Sequence, residues 1–153
     1  MTHLKPGDIA PEIEAVDQDG REISLKKFRG SKVVLYFYPK DNTPGCTAEA
    51  CSLRDNYHAL LKKGYKIIGV SADDEKSHKK FIEQFALPFP LIPDKGKKIL
   101  RDYGAWGMKK NYGKEYEGII RTTFIISEEG RIERIITKVD TKNHAAQILE
   151  DKV

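Results

Sequence analysis

Two stretches of the chain are rich enough in apolar residues to read as buried strands, the first of them without a break. Val33-Val34-Leu35-Tyr36-Phe37-Tyr38 runs uninterrupted until Pro39, and Tyr65 to Ser71 (YKIIGVS) repeats the pattern. Between them, Pro44 to Lys63 predicts one long helix with Gly64 as its C-cap. A further helix with an acidic first turn is expected from about Asp74 to Phe85, so strand, helix, strand and helix alternate in an α/β rhythm. Ile13 to Val16 and Arg21 to Ser24 flank the turn-rich Asp17-Gln18-Asp19-Gly20 and predict a short hairpin. Later, Lys97 to Tyr103 reads as helix, Thr122 to Ser127 and Arg131 to Lys138 as strands around Glu128-Glu129-Gly130, and Asn143 to Asp151 as a closing helix. Gly104 to Gly118 resists assignment; its four glycines with Trp106, Tyr112 and Tyr116 suggest a loop, whose aromatics could shape a pocket or simply pack in the core.

On the long helix, Ala50, Leu53, Tyr57, Leu60 and Leu61 form one apolar stripe, and Cys46 projects close to its N-terminal extension. Cys46 should therefore face inward, at a helix start that follows the turn Pro39-Lys40-Asp41-Asn42-Thr43-Pro44-Gly45. An ordinary thiol is only a few per cent ionised at neutral pH, and a helix N-terminus favours the anion, so the position predicts a primed sulfur nucleophile. The second cysteine, Cys51, lies about 140° around the helix and about 7.5 Å along it, a Cα separation of about 8.7 Å by ideal geometry. A disulfide requires less than about 7 Å. If the two sulfurs ever pair, the first turn or two of the helix must unravel; the alternative is that both are small buried apolar fillers.

Composition fits one domain over residues 1–153, with 39% hydrophobic and 33% charged residues, enough to bury a self-supporting core. No apolar run reaches the length of a membrane span, and the opening MTHLKPGDIAPEI lacks the basic and apolar regions of a signal peptide. Two cysteines in such a chain point to redox chemistry in the cytoplasm rather than to a disulfide framework. The net charge of +4 comes from scattered pairs, Lys26-Lys27, Lys62-Lys63, Lys79-Lys80, Lys97-Lys98 and Lys109-Lys110, most near expected helix ends. They read as solvated surface, not as a nucleic-acid track.

Pro39-x-x-x-Thr43-x-x-Cys46 resembles the active-site signature of the peroxiredoxins, and Cys-Thr-Ala-Glu-Ala-Cys, with four residues between the sulfurs, is similar to their bacterioferritin-comigratory or Q-type branch. The likeness runs from about Lys5 to Leu149, through GDIAPEIEAVDQDG, the YFYP strand end and Gly118 to Phe124. The resemblance implies a thioredoxin-like fold, a central mixed β-sheet flanked by helices. It also implies reduction of hydrogen peroxide or organic hydroperoxides by the Cys46 thiolate. Thr43 would hydrogen-bond the peroxide, Pro39 would shield the pocket, Arg121 would favour the thiolate and bind the leaving oxygen, and Glu49 would orient Arg121. Cys51 would capture the sulfenic acid as an intramolecular disulfide, recycled by an external dithiol such as thioredoxin. No cysteine follows Cys51, so a resolving residue from a second subunit is not suggested; that absence does not fix the oligomeric state, and a monomer is what the resemblance to this branch implies.

Other chemistries fit less well. A disulfide reductase on the same fold wants Cys-x-x-Cys, and a binding or chaperone-like module on that fold would consume no peroxide. His3, His58, His78 and His144 are scattered rather than paired and are expected at the surface, so no metal site is implied. No glycine-rich phosphate loop occurs, and no cofactor is expected.

Overall fold

The computed structural model describes residues 2–150. Strand β3 (Lys32–Phe37) lies at the centre of a five-stranded sheet, because its side chains are wanted on both faces. Val34 and Tyr36 pack with Leu53, Leu60, Phe81 and Ile148 on one side, while Val33, Leu35 and Phe37 pack with Leu100, Tyr103 and Phe124 on the other. Strand β4 (Tyr65–Ser71) pairs with β3 in parallel and β5 (Leu91–Pro93) with β4 in parallel; β8 (Thr122–Ile126) pairs antiparallel with β3 and β9 (Ile132–Ile136) antiparallel with β8, so β9 runs in the direction of β3 again. The order β5-β4-β3-β8-β9 is therefore a mixed sheet with helices against it. At Gly69 of β4 the packing is tight: a Cβ would come within 2.6 Å of Leu91 and 3.0 Å of the Tyr36 ring.

β1 (Glu14–Val16) and β2 (Glu22–Ser24) form the expected hairpin. The long helix is broken, however, into α1 (Pro44–Asp55) and α2 (Tyr57–Lys62) at Asn56. Its side-chain amide donates to the Ser52 carbonyl at 2.9 Å, competing with the backbone ladder and opening a corner (φ −113°, ψ 16°). Gly64 follows at φ +90°, the left-handed geometry that glycine adopts without steric cost. Helix α3 (Glu75–Phe85) is capped by Asp74, which accepts from the Ser77 amide at 2.8 Å. The remaining helices are α4 (Lys98–Asp102) and α5 (His144–Leu149); the expected end of the latter, Asp151, lies outside the described residues.

Residues 104–118 are not a loop. β6 (Trp106–Asn111) and β7 (Lys114–Ile119) pair antiparallel across Tyr112-Gly113, both at positive φ as a tight two-residue hairpin turn requires. Tyr112 is 99% exposed at that tip and shapes no pocket, whereas Trp106 packs against the core and donates to Glu117 at 3.1 Å. Lys26-Lys27 and Lys62-Lys63 do close helical turns, but Lys79-Lys80 lie within α3, Lys97-Lys98 open α4 and Lys109-Lys110 run along β6. Two histidines expected at the surface, His78 and His144, are fully buried. Among the described residues no helix is long and apolar enough to cross a membrane.

Candidate active site

The chain leaves β3 at Tyr38 and turns into α1 through Asn42 in left-handed conformation (φ 64°) and Thr43, the extended N-cap residue. Pro44 occupies the first helical position, where a missing N–H costs nothing. Cys46 thus falls in the first turn, among amides without helical partners, and is 1% exposed. The Thr43 hydroxyl does not cap the helix; it donates back to the Lys40 carbonyl at 2.9 Å, which leaves its lone pairs for a donor arriving at the site. Pro39 is half-buried at the end of the strand.

Arg121 stands immediately before β8, and the pairing of Phe37 with Thr122 carries it across to the start of α1. Its guanidinium bridges two groups, Nη2 donating to Cys46 Sγ at 3.2 Å and Nη1 to Glu49 Oε1 at 2.5 Å. A side chain at Gly45 would crowd this fork, since a Cβ there lies 3.3 Å from Nη2. Burial opposes the arginine's charge, yet Glu49 and the Cys46 sulfur hold its pKa above the ordinary value. Glu49 is fully buried on the same helix, and burial outweighs the Arg121 cation, raising its carboxyl from 4.5 to about 7. Lys109, on β6, is pushed down by partial burial and then by Arg121, with Cys46 acting the other way: a second cation stands close enough to feel both.

His144, at the start of α5, closes the far side of Glu49. Its Nδ1 faces Gln147 Oε1 at 2.8 Å, its Nε2 the Thr123 hydroxyl at 2.8 Å and Glu49 Oε2 at 3.4 Å. Gln147 uses its amide nitrogen on the Lys138 carbonyl, so its oxygen accepts and Nδ1 carries the proton. Burial pushes the imidazole pKa down, leaving Nε2 to accept from Thr123. Glu49 Oε2 and the Tyr36 hydroxyl, both buried, lack hydrogen-bond partners among the described residues. Burial first, then Glu49 and Cys46, drive the Tyr36 pKa far up and keep that hydroxyl neutral.

Cys51 is partly buried farther along α1, and both cysteines are free. Sequence reasoning placed Cys46, Thr43, Arg121 and Glu49 in one site, and the fold gathers Cys46, Arg121 and Glu49 by direct contact. It did not place His144, nor a second buried group, Asp41 with His78, two residues upstream of Thr43. The nearest signal was Asp41 itself, a carboxylate inside the Pro39 to Cys46 motif. Ligand atoms of Asp41, Asp73 and His78 lie within 4.8 Å of one another, but the cluster is satisfied internally: Ser77 Oγ and His78 Nδ1 meet Asp41 Oδ2 at 2.8 and 2.7 Å, and Ile92 O meets His78 Nε2 at 3.1 Å.

The mixed five-stranded sheet flanked by helices is the thioredoxin-like fold of the peroxiredoxins, a class of peroxidase-type oxidoreductases. The AhpC/TSA family profile matches residues 6–135, and the chain belongs to that family. It is similar to peroxiredoxin Bcp of Escherichia coli (42% identity over 149 residues, 97% of this chain and 96% of the relative). Peroxiredoxin Bcp of Bacillus subtilis is 44% identical over 147 residues, 96% of this chain and 94% of that one. Among solved structures, Xanthomonas campestris bacterioferritin comigratory protein, studied for alkyl peroxide reduction activity, superposes with a TM-score of 0.84 at 36% identity, over 90% of this chain and 87% of its own.

Proposed function

We propose that Cys46 is the peroxidatic residue of a thiol peroxidase acting on hydrogen peroxide and organic hydroperoxides, with residues 1–153 acting as one catalytic domain. The observation that carries this is the Arg121 fork, which holds a cation on the sulfur at 3.2 Å while Glu49 fixes its other arm at 2.5 Å. The sulfur attacks the near peroxide oxygen: an S–O bond forms and the O–O bond breaks. Sulfur is oxidised to sulfenic acid, and the departing hydroxide or alkoxide takes up a proton to leave as water or alcohol. Arg121 faces the charge that grows on the leaving oxygen, Thr43 accepts the peroxide O–H, and Pro39 screens bulk water. The alkyl peroxide activity of the Xanthomonas relative supports extending the substrate to organic hydroperoxides.

Cys51 then attacks the sulfenic sulfur, expelling water and forming an intramolecular disulfide. Both residues lie on the unbroken α1, where ideal geometry keeps their Cα atoms about 8.7 Å apart, so the first turns must melt before the bond closes. A thioredoxin-type dithiol reduces the product by exchange and is itself oxidised. The cycle needs no cofactor and suits a monomer in the cytoplasm, where dithiol reductant is available. Mass spectrometry of peroxide-treated protein tests it, with a Cys46 to Cys51 linkage within one chain expected. Cys46→Ser should abolish turnover, and Cys51→Ser should allow one oxidation yet no thioredoxin-coupled recycling. Near-parent turnover by Cys46→Ser would end the proposal.

A further inference from the structure

The mechanism above leaves unused the most heavily bonded polar side chain near the site. Asp41, between β3 and α1, accepts at Oδ1 from the Tyr38 hydroxyl (2.6 Å) and at Oδ2 from Ser77 Oγ (2.8 Å) and His78 Nδ1 (2.7 Å). Its backbone amide donates to Asp73 Oδ2 at 2.9 Å, an oxygen that also accepts from Ser71 Oγ at 2.8 Å. The other nitrogen of His78 faces the Ile92 carbonyl at 3.1 Å. The Ile92 carbonyl only accepts, so Nε2 donates to it, and Nδ1 shares a proton with Asp41 Oδ2. His78 and Asp41 therefore meet with side chains 0% and 2% exposed, and three elements, β4, α3 and β5, converge on the loop that precedes Cys46.

One residue downstream the restraints fall away. Asn42 is exposed and left-handed, the Thr43 hydroxyl turns backward to Lys40, and no side chain caps α1. The next side-chain ties are those of Arg121 to Cys46 and Glu49. A buried cluster of polar groups bonded to one another holds its geometry closely, because breaking any contact leaves a donor or acceptor unsatisfied where water does not replace it.

We propose that the Asp41 to His78 pair is a clasp that pins the upstream end of the segment that melts, making Asn42 its hinge and returning Thr43 and Cys46 to register with Arg121 after each cycle. Asp41 and His78 are thus positioning residues for the peroxidatic step, a role that rests on Cys46 and Cys51 acting as proposed above. The pair confines melting to the stretch beyond residue 42.

His78→Gln tests this, since an amide donates to Asp41 or to Ile92 but not to both along the imidazole's directions. In stopped flow, oxidation of Cys46 by hydrogen peroxide should slow by roughly tenfold or more, the usual cost of a displaced reacting group. Conversion of the sulfenic acid to the disulfide should be no slower, and amide exchange should lose protection at residues 38–43 while the far-UV dichroism stays native. A merely structural role would lower the urea midpoint and leave the oxidation rate of the folded protein alone. Asp41→Asn, which keeps the volume and one acceptor oxygen, carries the same test if His78→Gln does not fold. Parent oxidation rates in the folded variants, or collapse of both to unfolded chains, would overturn the clasp. A parent protein that neither reacts with peroxide nor forms the Cys46 to Cys51 bond would instead overturn the functional reading.

Discussion

Glu49 lies between the two cysteines in sequence, so unravelling α1 far enough to join them pulls its carboxyl out of the buried site and away from Arg121. In the intact helix that carboxyl titrates at about 7; released into water it returns to its ordinary 4.5. The folded value is the higher one, so the intact helix holds a proton that the melted helix releases. Its advantage is full below pH 4.5 and is lost as the pH climbs through about 7, and melting becomes easier across that window and level above it. At 1.36 kcal/mol per pH unit the gap between 4.5 and about 7 is worth about 3 kcal/mol, a ceiling of about 300-fold on the melting equilibrium. The assay is quenched-flow mass spectrometry of disulfide formation from the Cys46 sulfenic acid, between pH 4.5 and 8, in the parent and in Glu49→Gln. Ionisation of the attacking thiol is common to both proteins and cancels in the ratio of rates. That ratio should rise by up to about two orders of magnitude toward pH 7 and then flatten. A ratio that stays flat from pH 5 to 7, or falls, would refute the reasoning.

Two further perturbations address the site directly. Arg121→Lys keeps a positive charge but cannot reach Cys46 Sγ and Glu49 Oε1 together as the planar fork does; oxidation of Cys46 by peroxide, followed in stopped flow, should slow by roughly a hundredfold. Tyr36→Phe removes a buried hydroxyl that has no partner among the described residues, and the urea midpoint should rise by an amount equivalent to about 1 to 2 kcal/mol; a loss of stability would show that the hydroxyl is satisfied in solution.

What the chain discloses by itself follows from how each part is held. β3 and β4 are buried on both faces over most of their length, so their apolar runs, interrupted in β4 by the exposed Lys66, are legible. β6 and β7 are not: one face carries Met108, Lys110, Glu115 and Glu117 and the other Lys109 and Tyr116 with glycines, and since the core is met at the base of the hairpin, by Trp106 and Ile119, no period survives along it. β5 is three residues hemmed by Pro90 and ending on Pro93, too short to show alternation. The break at Asn56 depends on one side chain reaching back to Ser52, a local competition that an apolar stripe does not register. The cysteine motif was legible because its members are neighbours in sequence. The buried partners were not, because His144 meets Thr123 across 21 residues and His78 meets Asp41 across 37, and an isolated histidine defaults to the surface.

The placement of the charges also bears on why one helix can both hold a reactive sulfur and let it go. Arg121 is tied to α1 at two points, Cys46 and Glu49, and the proposed oxidation would change one of them: a neutral sulfenic acid gives the guanidinium no full negative charge to face. The remaining tie is to a carboxyl that burial already drives toward its neutral form and whose outer oxygen finds no donor, since His144 spends its proton on Gln147 and accepts from Thr123. Sulfenic acid formation, as proposed, would therefore leave the first turns of α1 held by the Arg121 to Glu49 contact, which is itself costly to keep dry. In the proposed cycle, melting would begin where the electrostatic return is smallest, and the step that forms the sulfenic acid would also loosen the helix that Cys51 has to open.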